Sequence, residues 1–347
     1  MTTRQALVLL AKCLVAAALV GFLYHSGQLD LAQLGRLGGA PLALAACLGL
    51  FVWNQFLTTT RWWLLMRARG LAVAWWPCYL MNLAGLFASM VLPGLLAGDV
   101  GKTYLLSRRS AGGAIDSFST IVVDRLIGAV ALIVLGTASV EWLFRMRPAM
   151  AASNASLPGI RLGMWIGLAA GVGGLACLLV RPLRHVVFFG PLPGWLPSQG
   201  PWGRVRSLVL GVRDAFGPYL HHRVALTIGF ILSLANHLST VLIFLMLADA
   251  LGNQTIDTVW FFVFLPIAAS VNSIPIAPAG GLGQGEAALG FLLGLVDPSG
   301  NTLGVQSWLA FRVVWILTTL PGGIVWWRIR QWRRAASTPP TVVAEQS

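Results

Sequence analysis

The sequence predicts an all-α polytopic membrane protein, with about six full transmembrane helices plus two re-entrant or broken helical segments. Composition, hydropathy and the length of the apolar runs carry that expectation. Hydrophobic residues fill 57% of 347 positions and charged residues only 10%, whereas a soluble domain carries roughly 25% charged residues. Mean hydropathy is +0.77, and several apolar runs reach the roughly 20 residues that cross a hydrocarbon core. Fifteen Trp suit a protein with two interfacial belts.

Candidate full spans are 6–25, 40–60, 118–143, 162–180, 224–250 and 304–327. The N-terminal run MTTRQALVLLAKCLVAAALVGFLYH starts like a signal peptide. Its apolar part is too long for a typical h-region and has no convincing cleavage site, so it reads as a retained first span. Two further stretches fail to behave as spans. The first, 74–97, ends in Pro93-Gly94 and runs into GDVGK; the second, 256–296, is interrupted by PIAPAGGLGQGE. Residues 1–334 read as one transmembrane domain. Within it, 181–223 is a cytoplasmic connector whose FFGPLPGWLPSQGPWG part is irregular. In 204–220, Val205, Leu208, Val209, Val212 and Phe216 share one helical face opposite Arg and Asp, the pattern of an interfacial helix. The tail 335–347 reads as short, polar, disordered and cytoplasmic.

The formal charge of +13 raises nucleic acid as a partner. The basic residues, however, sit in short clusters beside apolar stretches, the pattern of loops facing anionic lipid. No folded basic domain exists to carry a nucleic-acid interface. Twenty-two of the 24 basic residues are Arg, which suits phosphate-rich surroundings or reflects genomic base composition. With both termini cytoplasmic, eighteen basic residues fall inside and four outside (Arg36, Arg145, Arg147, Arg161), with Arg125 and Arg312 within spans. This count places Arg61, Arg67 and Arg69 at the cytoplasmic end of the second span. It also requires 74–97 to dip in and return, and gives the second broken segment two outside ends, whether it dips or crosses twice. Opposed broken helices are what inverted-repeat transporters use to build a midplane site, although the two halves share no detectable sequence identity.

Cys13, Cys47, Cys78 and Cys177 lie inside apolar stretches without CxxC spacing, so they read as small buried hydrophobes. No HExxH, GxSxG or paired-carboxylate motif occurs, and neither a metal nor a cofactor is expected. A charge within the bilayer costs roughly 2.5–3.5 kcal/mol on insertion scales. The charges left there therefore need explaining: Asp99, Lys102, Asp124, Arg125, Glu286 and Arg312. Asn82, Asn236, His237 and Asn272 are neutral companions, His237 reading as a helix-packing hydrogen bonder.

At the first break, LPGLLAGDVGKTYLL lacks the G-x-x-x-x-G-K-[ST] spacing of a phosphate loop and follows no strand. Pro93 and Gly94 end a helix, Gly98 permits unusual backbone angles, and Asp99 caps a helix beginning near Val100. Either Asp99 is only a cap, or the freed amides and Lys102 also form an anion pocket. At the second break, Pro275 and Pro278 interrupt a helix, while Gly280, Gly281, Gly283 and Gly285 keep the backbone open. A half-helix over Ala287 to Val296 then restarts, with Glu286 in its first turn. Non-helical backbone at this depth survives only when buried in protein or lining a polar cavity. Asp124 and Arg125 point about 100° apart on a helix, so they should have different partners. Glu286 is a natural partner for Arg125 or Arg312.

Five motifs occur in order: RWWLLMRARG after the second span, P-x-x-x-x-G-D-x-x-K at 93–102, V-x-D-R-L-x-G at 122–128, P-x-x-P-x-G-G-x-G-x-x-E at 275–286, and R-x-x-x-x-x-x-x-x-P-G-G at 312–323. Through them the chain resembles, over roughly 5–330, the transmembrane domain family of lysylphosphatidylglycerol synthase/flippase proteins, the membrane half of the multiple peptide resistance factor. The resemblance implies a flippase-like domain of the inner membrane with re-entrant helices. It implies a lipid-binding pocket of Asp99, Lys102, Asp124, Arg125, Glu286 and Arg312. Lys102 stands where family members often have Arg, which weakens bidentate phosphate binding. No acyltransferase-like domain follows Arg334, so synthase activity is not expected. The expected function is transport of an amphiphilic phosphate- or sugar-headgroup lipid between leaflets. The alternatives are an accessory partner of a lipid-synthesis or glycosylation enzyme, or a lipid-modifying transferase, for which no DxD pair exists.

Overall fold

The computed structural model describes residues 35–91, 97–107, 114–152, 154–179, 219, 222–273 and 283–336. The expected first span 6–25, all of the connector except Tyr219, His222 and Arg223, and the tail beyond Ala336 lie outside them. Among the described residues every regular element is helical. The helices are α1 (Pro41–Ala68), α2 (Trp75–Val91), α3 (Ala97–Ser107), α4 (Ala114–Met146), α5 (Pro148–Ala152), α6 (Leu157–Leu179), α7 (Arg223–Ala250), α8 (Thr258–Asn272), α9 (Gln284–Gly294), α10 (Pro298–Thr319) and α11 (Pro321–Ala336).

Helices α1, α4 and α7 are each long and apolar enough to cross a membrane, and α10 with α11 forms a fourth, bent candidate. The apolar windows of the three long helices are only 33–50% buried within the protein. Large apolar side chains such as Leu162, Ile166 and Ile231 stay exposed. Apolar surface turned outward while Arg, Asp and Glu turn inward is the arrangement that lipid stabilises and water does not. The chain is therefore a membrane protein.

The last expected span does not run through as one helix. Thr319 ends α10, Pro321 begins α11, and the two axes bend by 40°. Pro321 lacks the N–H that would continue the hydrogen-bond ladder, and its ring crowds the preceding turn. Helix α1 departs from expectation in the other direction, since RWWLLMRA continues it to Ala68 instead of ending it at residue 60. Its last turn closes when the Leu71 N–H bonds the Met66 carbonyl at 2.9 Å.

Helices α2 and α3 form an antiparallel hairpin. Asn82 on α2 meets Lys102 on α3, and Gly98 rests on the Gly85 carbonyl and Ser89. A Cβ at Gly98 would collide with that carbonyl, so glycine is needed here for close approach and not for an unusual φ. The feet of this hairpin pack with the end of α1: Leu71, Cys78, Leu105 and Leu106 share a cluster with Trp62 and Met66. The Arg69–Asp116 pair, 2.5 Å apart, lies at the same end.

Helices α8 and α9 form the second hairpin. Asp257 caps α8 by accepting the Val259 N–H at 2.9 Å, and Asp297 caps α10 through the Ser299 N–H at 2.8 Å. The hydroxyls of Thr255 and Ser299 lie 3.0 Å apart, so the segment between them leaves and returns to one place. Arg147 pairs with Asp257 and Asn154 donates to the Leu295 carbonyl. These contacts bring the feet of the second hairpin to the end of the bundle where α4 finishes, whereas the first hairpin has its feet where α4 begins. The two hairpins thus enter from opposite ends. A large core around Phe244, Trp260, Phe261, Phe264 and Trp308 packs the second hairpin against α1, α4, α7 and α10.

Candidate functional site

Between the hairpins lies a cavity of about 320 Å³. Its wall draws on almost every long helix. Helix α1 supplies Asn54, Gln55, Thr58 and Arg61; α2 and α3 supply Asn82 and Lys102; α4 supplies Asp124 and Arg125. The rest of the wall is Asn236 and Thr240 of α7, Asn272 at the end of α8, and Trp308, Phe311, Arg312 and Trp315 of α10.

Three ion pairs organise the charges. Arg61 grips Asp124 with both ends of its fork, Nε to Oδ1 at 2.6 Å and Nη2 to Oδ2 at 2.7 Å. Its Nη1 also donates to Ser233 Oγ at 2.7 Å. The guanidinium lies against Gly128, where a side chain would press on it, and His237 Nε2 bonds the Gly128 carbonyl oxygen at 2.9 Å. Arg125 bonds Asp99 through Nε at 3.1 Å and Nη2 at 2.9 Å, tying α4 to the first hairpin. Arg312 bonds both carboxylate oxygens of Glu286, one of them through Nη2 at 3.1 Å, tying α10 to the second hairpin. Glu286 is fully buried, and its Oε2 also accepts the Gly283 N–H at 3.0 Å. Gly283 has φ 87°, a left-handed angle natural to glycine alone. Planar, two-point pairing of this kind is the strongest form of ionic hydrogen bond.

Lys102 is held differently. Its Nζ donates to Asn82 Oδ1 at 2.6 Å and sits 5.5 Å from the Trp62 ring, so both of these partners are neutral. Among these groups four cations (Arg61, Lys102, Arg125, Arg312) face three carboxylates (Asp99, Asp124, Glu286). One formal positive charge is left over, and the pairing assigns it to Lys102. Arg125 is the accessible cation, with 62% of its side chain exposed against 9% for Asp99.

All six charged residues singled out in the sequence meet here. Lys102, Asp124, Arg125 and Arg312 line the cavity, while Asp99 and Glu286 stand behind two of the arginines. Asp124 and Arg125 do take separate partners. Of the expected break residues, Gly98 and Gly283 are described; Pro93, Pro275, Pro278, Gly280 and Gly281 lie outside the described residues. Asp99 does not cap a helix starting near Val100. The helix already runs from Ala97, which leaves the Asp99 carboxylate inside its first turn and free to turn onto Arg125.

Arg61, which the charge count places at the cytoplasmic end of the second span, lines the cavity and is 7% exposed. Trp62, Trp63, Leu64, Leu65 and Met66 follow it, so the apolar run does not end at Arg61. Asn54 and Gln55 lie outside the six candidate residues, although adjacent amides in the middle of an apolar span call for partners.

No curated protein and no solved structure matches the chain. A family model does, described as the lysylphosphatidylglycerol synthase TM region, over residues 9–323. That match covers most of the 347 residues, and the chain belongs to the lysylphosphatidylglycerol synthase transmembrane-region family.

Proposed function

We propose that this protein is a flippase-like transporter that moves an amphiphilic phosphate- or sugar-headgroup lipid between leaflets. The observation that carries the reading is the polar cavity between two oppositely entering hairpins, with one formal positive charge in excess. Family membership supports a lipid-related role in the membrane. In this reading the headgroup occupies the cavity while the tails stay in the bilayer. Arg125 and Lys102 meet the phosphate, and the Arg61–Asp124 and Arg312–Glu286 pairs fix the walls. The protein carries out no covalent chemistry on the lipid. It sits in the inner membrane with both termini cytoplasmic, an orientation supported by the basic residues gathered on that side.

The test is leaflet exchange. Purified protein in liposomes should accelerate the accessibility of a labelled phospholipid headgroup to an added quencher. Arg125→Ala should abolish the acceleration in the fraction that still elutes as folded protein. Equal rates for wild type, Arg125→Ala and protein-free liposomes would sink the assignment. A second reading, membrane partner of a lipid-synthesis enzyme, draws on the synthase in the family's description. Co-purification of such an enzyme without lipid exchange would favour it.

A further inference from the structure

Two buried acceptors in the cavity wall have no donor among the described residues. Asn54 is 6% exposed. Its Nδ2 donates to Thr240 Oγ1 at 3.2 Å, but its Oδ1 has no hydrogen-bond partner among the described residues. Asn272 Oδ1, at the end of α8, is in the same state. A buried acceptor without a donor is costly until something supplies one. The terminal torsion of an Asn amide is broad, so a modest rotation turns either oxygen to the cavity.

The missing donors have to be uncharged. Each of the three carboxylates is already bound by an arginine, and the set carries one extra positive charge. An ammonium headgroup would enter an electropositive chamber and find its carboxylates taken. A hydroxyl group supplies the donor without that repulsion. The aromatic lining agrees, since Trp308, Phe311 and Trp315 of α10 border the same cavity as the two amides. Flat apolar faces beside amide groups suit the C–H and O–H surfaces of a polyol.

Size and spacing fit as well. About 320 Å³ is at the small end of ligand sites, enough for a headgroup and not for acyl chains. Lys102 Nζ donates to Asn82 Oδ1, and Asn82 Nδ2 donates to Oε1 of Gln55, the chain neighbour of Asn54. A phosphate held by Lys102 can therefore carry a short substituent that reaches the Asn54 amide.

We propose that the cavity recognises a phosphate diester of an uncharged polyol, either glycerol or a sugar, in preference to a bare phosphate or an amine-bearing headgroup. The proposal rests on the lipid-transport reading for its setting but is tested by binding alone. The full-length protein in detergent is titrated with four short-chain probes, and binding is followed by native mass spectrometry. The probes are dioctanoyl phosphatidylglycerol, a short prenyl-phosphoryl hexose, dioctanoyl phosphatidic acid and dioctanoyl lysylphosphatidylglycerol. One or both polyol probes should bind at least about tenfold tighter than the last two, a difference of about 1.4 kcal/mol. Which polyol probe binds tighter tells glycerol from sugar.

Asn54→Leu should erase the polyol advantage and leave phosphatidic acid binding unchanged, whereas Lys102→Ala should weaken every anionic probe. Asn272→Leu repeats the test from the end of α8 and decides it if Asn54→Leu does not fold. Equal binding of phosphatidic acid and both polyol probes would overturn the proposal. So would tighter binding of the lysyl lipid, or a polyol advantage that survives both Asn substitutions. Leaflet exchange measured with the same lipids separates the two readings. Polyol selectivity without exchange defeats transport alone, and exchange without polyol selectivity defeats the present inference alone.

Discussion

Replacing Glu286 by Gln removes one charge from the most buried ion pair and little else. Glu286 is 0% exposed and Arg312 is 8% exposed. The Gln side chain keeps a carbonyl oxygen for the Gly283 N–H, so the start of α9 is still capped. What disappears is the carboxylate that balances the Arg312 guanidinium through its two bonds. Removing one partner of a buried pair costs about 3–5 kcal/mol, because the other charge remains desolvated. That corresponds to a loss of about 10²–10⁴ in the folding equilibrium and a fall in midpoint on the order of 10 °C.

Thermal unfolding in detergent, followed by fluorescence-detected size exclusion, reads this directly. The Glu286→Gln/Arg312→Met double variant removes both charges and should recover most of the loss, since replacing a whole buried pair by apolar groups is often neutral. Arg147→Ala calibrates the scale. Arg147 and Asp257 lie 3.8 Å apart with exposed side chains, and such a pair contributes about 0–1 kcal/mol. If Glu286→Gln is no more harmful than Arg147→Ala, or if the double variant is as unstable as the single one, the argument from buried charge is wrong.

Gly98→Ala would drive a Cβ into the Gly85 carbonyl and the Ser89 hydroxyl. It should destabilise the first hairpin by about 1–3 kcal/mol, the usual cost of overpacking, seen as a lower melting midpoint. Cysteines at Thr255 and Ser299 should cross-link readily under mild oxidation, since their hydroxyls are 3.0 Å apart. Failure to cross-link in folded protein would contradict a second hairpin whose feet meet. Asp297 lies in the turn before α10, where the hydroxyl and then the N–H of Ser299 hold its carboxyl below the usual carboxylate value. A depressed folded value stabilises above about pH 3.9 and loses that contribution as pH falls through the lower folded value. Protection factors for the amides at the start of α10, which correct each exchange rate for its intrinsic pH dependence, should therefore fall in acid in the wild type, and be low and insensitive to acid in Asp297→Ala.

What the sequence makes legible here, and what it hides, follows from the physics of each feature. Apolar run length identifies spans because the bilayer demands it, and α1, α4 and α7 lie where those runs lie. Glycine marks both hairpins, Gly98 by its close approach to Gly85 and Gly283 by its left-handed angle. The bend at Pro321 is hidden from hydropathy. Hydropathy averages side chains over a window, and the window over 304–327 registers no missing backbone hydrogen bond. Helical phase shows that Asp124 and Arg125 need separate partners, but choosing Arg61 over another cation requires knowing which helices touch. Arg61 is the instructive case. An Arg at the end of a span-length run reads as a terminus in the charge count, although Trp62 to Met66 keep the sequence apolar beyond it. Only the tertiary fold shows its side chain bound to Asp124. The consequence is larger than one misplaced side chain. Without Arg61 the candidate set is Asp99, Lys102, Asp124, Arg125, Glu286 and Arg312, three charges of each sign, and the site looks neutral and self-contained. With Arg61 bound to Asp124, each carboxylate is matched to an arginine and Lys102 becomes the surplus cation. The proposed preference for an anion therefore rests on a residue that the charge count assigns to the membrane edge.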